Sequence, residues 1–103
     1  MTTRSRLFDI RAALNASALE LMRRKNADYA EEADAIANYV AAARQAKTTP
    51  ALFILGRLEE KLTRLSNIIQ RGAAVTDEPA MAELRDLVNF PSLIAAALEC
   101  GGN

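Results

Sequence analysis

Histidine is absent from this chain, and cysteine occurs once, as Cys100. Those two shortages exclude, within a single chain, disulfide frameworks, zinc fingers, Cys/His nucleophile pairs and Ser-His triads. Any metal must then be a hard cation held by oxygen ligands. Cys100 has no base near it in sequence, which argues against a nucleophilic role. An excess of charge of one sign is also missing, since 13 Lys and Arg balance 13 Asp and Glu. The field that draws a protein onto DNA or RNA is therefore weak, and nucleic acid is not an expected partner. No apolar run approaches the roughly 18 to 20 residues of a membrane span, and the opening MTTRSRLFDIRAALNAS lacks the continuous apolar core of a signal peptide. No membrane partner and a cytoplasmic location are the corresponding expectations.

What is present points to helices. Half of the 103 residues are apolar and a quarter are charged, the balance of a globular chain, and the length suits one domain, 1–103, near the size at which association between copies often adds stability. A homo-oligomer is expected. No segment alternates with period two and no repeat recurs, so the chain predicts an all-α, compact four-helix arrangement without a sheet. The first helix is expected from Ser5 to Lys25, with Leu7, Ile10, Leu14, Ala18, Leu21 and Met22 on one face and the basic triplet Arg23, Arg24, Lys25 in its last turn. KNADYA then breaks the pattern and leaves Tyr29 at the join. A second, alanine-rich helix is expected from Glu31 to Ala46, with Glu31, Glu32 and Asp34 in its first turn. Thr49 and Pro50 are a helix start and Gly72 a helix end. In the fourth helix Thr76 or Asp77 is the cap, Ala80, Leu84, Leu87, Phe90, Ile94 and Leu98 turn inward, and Pro91 predicts a kink or break near Asn89 and Phe90.

The third helix carries the most informative stretch, ILGRLEEKLTRLSN, in which Leu55, Leu58, Leu62, Leu65 and Ile69 form one apolar stripe. On a helical wheel Arg57 and Lys61 fall on one flank and Glu59 on the other, while Glu60 and Arg64 lie farther round. On the fourth helix Glu83 and Asp86 are three residues apart, close enough for both carboxylates to meet one cation. Glu59 or Glu60 with Glu83 and Asp86 therefore forms a candidate oxygen site for magnesium. The alternative is that these acids pair with Arg57, Lys61, Arg64 and Arg85 on a solvated surface.

KNADY (Lys25 to Tyr29), Asn38 beside Tyr39, ILGRLEEKLTRLSNII (Ile54 to Ile69), the pair Asp77 and Glu78, and DLVNF (Asp86 to Phe90) occur in that order. Together they resemble the nucleotide modification associated domain 1 family, small helical proteins common in tailed bacteriophages. The resemblance covers about Arg24 to Leu98 and carries Asp28, Tyr29, Asn38, Arg57, Glu60, Lys61, Arg64, Asn67, Glu78, Asp86 and Asn89 over as family positions. A looser resemblance is to MazG-type all-α nucleotide pyrophosphatases, with Glu59 and Glu60 matching the first acid pair, Thr63 standing where a third acid is usual, and Glu83 and Asp86 matching the later ExxD. These resemblances imply a nucleotide-related role in a bacterial host. Lys25, Arg57 and Lys61 are the expected phosphate contacts, Tyr29 or Phe90 the expected base platform, and Glu59, Glu60, Glu83 and Asp86 the expected magnesium ligands and catalytic acids. The implied reaction is hydrolysis of a nucleoside triphosphate to monophosphate and pyrophosphate. The competing expectations are a non-enzymatic binder that sequesters a signalling nucleotide in an anti-defence role, and a structural or protein-interaction module.

Overall fold

Threonine hydroxyls start two of the helices. Thr3 Oγ1 accepts the Arg6 amide at 3.0 Å, so Thr3, ahead of the expected Ser5, caps α1 (Arg4–Tyr29). Thr49 stands in an extended conformation with its Oγ1 accepting the Leu52 amide at 3.3 Å, and Pro50 opens α3 (Pro50–Gln70), as the sequence predicts. Gly72, at φ 84°, takes the left-handed position that ends α3 and that only glycine occupies without strain. Between these lies α2 (Ala37–Gln45). It closes with Thr48 N–H on the Ala43 carbonyl at 3.0 Å and Lys47 N–H on the Arg44 carbonyl at 3.2 Å. This paired closure places Lys47 at φ 57°, a left-handed conformation costing a lysine about 1 kcal/mol.

The computed structural model describes residues 1–29, 36–72 and 78–100, with the side chains of Asp28 and Tyr29 outside the description. The expected first turn of the second helix, Glu31, Glu32 and Asp34, and the expected caps Thr76 and Asp77 lie outside the described residues. The last helix, α4, spans Glu78–Glu99. Among the described residues there are four helices and no strand. They pack compactly, with α3 on α4 as the main seam, α1 added to α4 and α2 added to α3.

Two expected breaks are absent. The α1 helix continues through Asn26 and Asp28 to Tyr29; the helix-propensity deficit of these residues is at most about 0.7 kcal/mol each, too small to end a helix already formed. The α4 helix continues through Pro91. The helix is therefore not broken at Pro91, whose missing N–H removes the hydrogen bond to the Leu87 carbonyl and which is itself exposed.

The larger correction concerns which face of α3 is inside. Ile54 is fully buried and joins Ile36, Ala51, Phe90 and Ala97 in the core, with Tyr39, Val40, Leu58, Leu93 and Ile94 packed against them. Leu55, Leu62 and Ile69, expected inward, are exposed by 40, 50 and 61%. The inward line is instead Ala51, Ile54, Leu58, Lys61, Leu65 and Ile68, all buried or half-buried at steps of three and four. That line is turned about 50° from the leucine stripe at 100° per residue. Ala97 is likewise buried where Leu98 was expected, and Leu7 and Ile10 of α1 are exposed. Ala18, Ala43, Ala80 and Ala97 are buried along with Ile36, Ile54 and Phe90.

This rotation has a measurable consequence. In urea denaturation Ile54→Ala should lower the unfolding free energy by about 2 to 4 kcal/mol, whereas Leu62→Ala should cost less than about 1 kcal/mol. Equal losses would place the core on the leucine stripe.

Candidate functional site

Lysine is the residue type least expected on the inner line of a helix, and Lys61 occupies that line because α4 meets it with two acids. Its Nζ lies 2.9 Å from Asp86 Oδ2 and 3.9 Å from Glu83 Oε2, and all three side chains are about five-sixths buried. Asp86 also faces α1, where Lys25 Nζ stands 3.7 Å from its Oδ1. Glu83 and Asp86, three apart on α4, do converge on one cation. That cation is the Lys61 ammonium. Glu83 Oε2 is buried without a hydrogen bond among the described residues, so at 3.9 Å its tie to Lys61 is Coulombic only.

The other two candidate acids stand apart. Glu59 and Glu60 are both exposed, and Glu60 Oε2 pairs with Arg57 Nη1 at 3.1 Å. Glu59 falls on the flank of α3 away from Asp86. Among the described residues no three acidic or thiol side chains gather as metal ligands. Arg64 is exposed and is not part of the cavity described next.

Above this ion pair the four helices enclose a half-open cavity of about 480 Å³. Each helix contributes one face. Met22, Lys25 and Asn26 come from α1, Asn38, Tyr39 and Ala42 from α2, Phe53 and Arg57 from α3, and Asp86, Asn89, Phe90 and Leu93 from α4. Within each set the spacing is mostly three or four residues, the condition for side chains to share a face. Asn89 Nδ2 donates to the Ala18 carbonyl at 2.9 Å, which fixes the amide at the α1–α4 contact. A second tie between these helices runs through Arg85, whose Nε donates to Ser17 Oγ at 2.7 Å and whose Nη1 reaches Glu78 Oε1 at 2.6 Å. Burial pushes the Tyr39 phenol above its ordinary pKa; Arg57 pulls it partly back and Asp86 pushes it up again. The phenol is thus a proton donor at neutral pH.

Of the residues singled out from sequence, Lys25, Asn38, Arg57, Asp86 and Asn89 meet at this cavity, with Phe90. Lys61 lies beneath it, bound to Asp86. The side chains of Asp28 and Tyr29 are outside the described residues. Phe53 was not anticipated, although its place one turn before Arg57 on the same helix face was the available signal. The cavity therefore combines three aromatic rings, two accessible cations, three amides and one carboxylate, in an all-helical domain. No protein-family model, curated protein or solved structure matches the chain.

Two outcomes are expected. Lys61→Met should destabilise the fold by about 2 to 3 kcal/mol, because two largely buried carboxylates lose their counter-charge. The triple variant Lys61→Met, Glu83→Gln, Asp86→Asn should recover most of that loss in the same denaturation assay. For Tyr39, the folded state holds its proton above the ordinary pKa of 10.0, so stability present at lower pH is lost as pH rises from about 10 through the folded value. Tyr39→Phe should flatten that alkaline decline, measured as unfolding free energy against pH.

Proposed function

We propose that this protein binds a nucleotide in the cavity between its four helices and holds it without hydrolysing it. The observation that carries this reading is the gathering of Lys25 and Arg57 with Tyr39, Phe53 and Phe90 around one space of about 480 Å³. That volume lies within the usual range for small-molecule sites, roughly 300 to 1,000 Å³. The rings offer stacking surfaces to a base, worth roughly 1 to 3 kcal/mol per base. Lys25 and Arg57 are about half exposed, so a phosphate can reach them. Asn26, Asn38 and Asn89 supply donors and acceptors for a base edge or a ribose.

The charge balance favours a ligand with few negative charges. The ion pairs at and beneath the cavity set Lys25, Arg57 and Lys61 against Asp86, Glu60 and Glu83, a net charge of zero, which suits a monophosphate or a phosphodiester better than a triphosphate. Hydrolysis through magnesium requires acids free to hold the metal. Glu83 and Asp86 are held by Lys61, and Glu60 is held by Arg57. Binding alone agrees with the nucleotide-related role that the family resemblance implies, and with the competing expectation of a binder that lowers the free concentration of a signalling nucleotide.

The test is isothermal titration with nucleoside mono-, di- and triphosphates and with phosphodiester-linked dinucleotides, with and without magnesium, while phosphate and pyrophosphate release are followed. Binding is expected without metal and without release. Arg57→Ala and Phe53→Ala should each weaken it about tenfold, or about 1.4 kcal/mol. Metal-dependent pyrophosphate release, lost in Asp86→Ala, would replace this reading with that of a magnesium-dependent hydrolase. No heat with any member of the panel would remove the nucleotide from consideration.

A further inference from the structure

We infer that a second copy of this chain docks its first helical turns along the exposed leucine stripe of α3, and that the exchange is reciprocal. On α1 the line Leu7, Ile10, Leu14, Ala18, Leu21 follows steps of three and four. Its second half is covered, with Ala18 buried and Leu14 and Leu21 half-buried, while Leu7 and Ile10 continue the same line into solvent at 56 and 38% exposure. Phe8, 62% exposed, lies about 100° round the helix from Leu7 and off this line. The α1 helix packs on α4 and on no other described helix, so nothing within the described chain covers this arm.

The second apolar surface lies on α3. Leu55, Leu62 and Ile69 recur at steps of seven, and with Leu52 they form a stripe about 25 Å long at 1.5 Å per residue. On the wheel every cation of α3, Arg57, Lys61 and Arg64 included, falls on the other side of the helix. The stripe therefore faces away from the nucleotide cavity, and occupancy of one does not obstruct the other.

Charge decides what covers these two surfaces. The arm carries Arg4, Arg6 and Arg11 against Asp9 alone. Arm against arm would set two groups of arginines side by side. Arm against stripe instead brings Arg4 and Arg11, which flank Leu7 one heptad apart, to a surface whose ionised side chain is Glu59, exposed between Leu55 and Leu62. Each copy has one arm and one stripe, so a two-fold exchange satisfies both and closes the assembly.

Sedimentation equilibrium of the full chain tests this. The wild type is expected to be a dimer that weakens as salt rises. Leu7→Glu and Leu62→Glu, both at exposed positions, should each give monomers with unchanged helical circular dichroism. The discriminating measurement uses charge reversal. A chain carrying Arg4→Glu and Arg11→Glu, and another carrying Glu59→Arg, should each be monomeric alone and should associate when mixed, because both contacts in the mixed dimer pair opposite charges. A monomeric wild type overturns the inference. Loss of association in Leu62→Glu but not Leu7→Glu, or failure of the mixed reversal chains to pair, overturns the arm-to-stripe arrangement.

Discussion

The structure depends on one lysine being turned inward. Lys61 lies on the buried line of α3 between Leu58 and Leu65, and it is tolerable there only because Glu83 and Asp86 of α4 stand opposite. Removing an ammonium and two carboxylates from water costs several kcal/mol per ion, which their attraction roughly returns. The net contribution to stability is therefore small, but the contribution to geometry is large. Sliding α3 along α4 by one turn would leave a charge buried alone, so the pair selects one register from several that leucines by themselves would accept. Asp86 extends this selection to α1 through Lys25.

The same constraint shapes the chemistry of the cavity. Asp86 is needed by Lys61 and Glu60 is engaged with Arg57, so the acids that sequence spacing presents as metal ligands serve as counter-ions. Around the space stand aromatic surface, amides, and the half-exposed ammonium and guanidinium of Lys25 and Arg57, each with one carboxylate partner. A ring joined to an anion is the ligand we propose for them. The raised pKa of Tyr39 keeps a further neutral donor in the wall.

Much of the fold was legible locally. Thr49, Pro50 and Gly72 announced the ends of α3 because capping is decided within four residues, and the helical class followed from periodicity. Local signals predicted a break at Asn26 to Tyr29 that the helix does not make, since the propensity deficit there is small, and at Pro91 the helix is continuous. They failed more seriously on α3. Leucine count favours the Leu55–Leu62–Ile69 side as the inner face, whereas the helix is rotated so that Ile54 and Lys61 are inside and Leu55, Leu62 and Ile69 are out. A wheel counts apolar residues but contains no information on which flank the neighbouring helices occupy.

The sequence by itself determined an all-helical chain, its helix ends near threonine, proline and glycine, and a set of residues from which the cavity draws Lys25, Asn38, Arg57, Asp86 and Asn89. Those properties depend on bonds and steric limits between near neighbours. Only the tertiary structure decided that Asp86 and Glu83 bind Lys61, that Glu59 faces away, and that Phe53 joins the cavity. Each of these follows from the rotation of one helix against another, and that rotation is set by the joint packing and charge pairing of residues more than twenty positions apart.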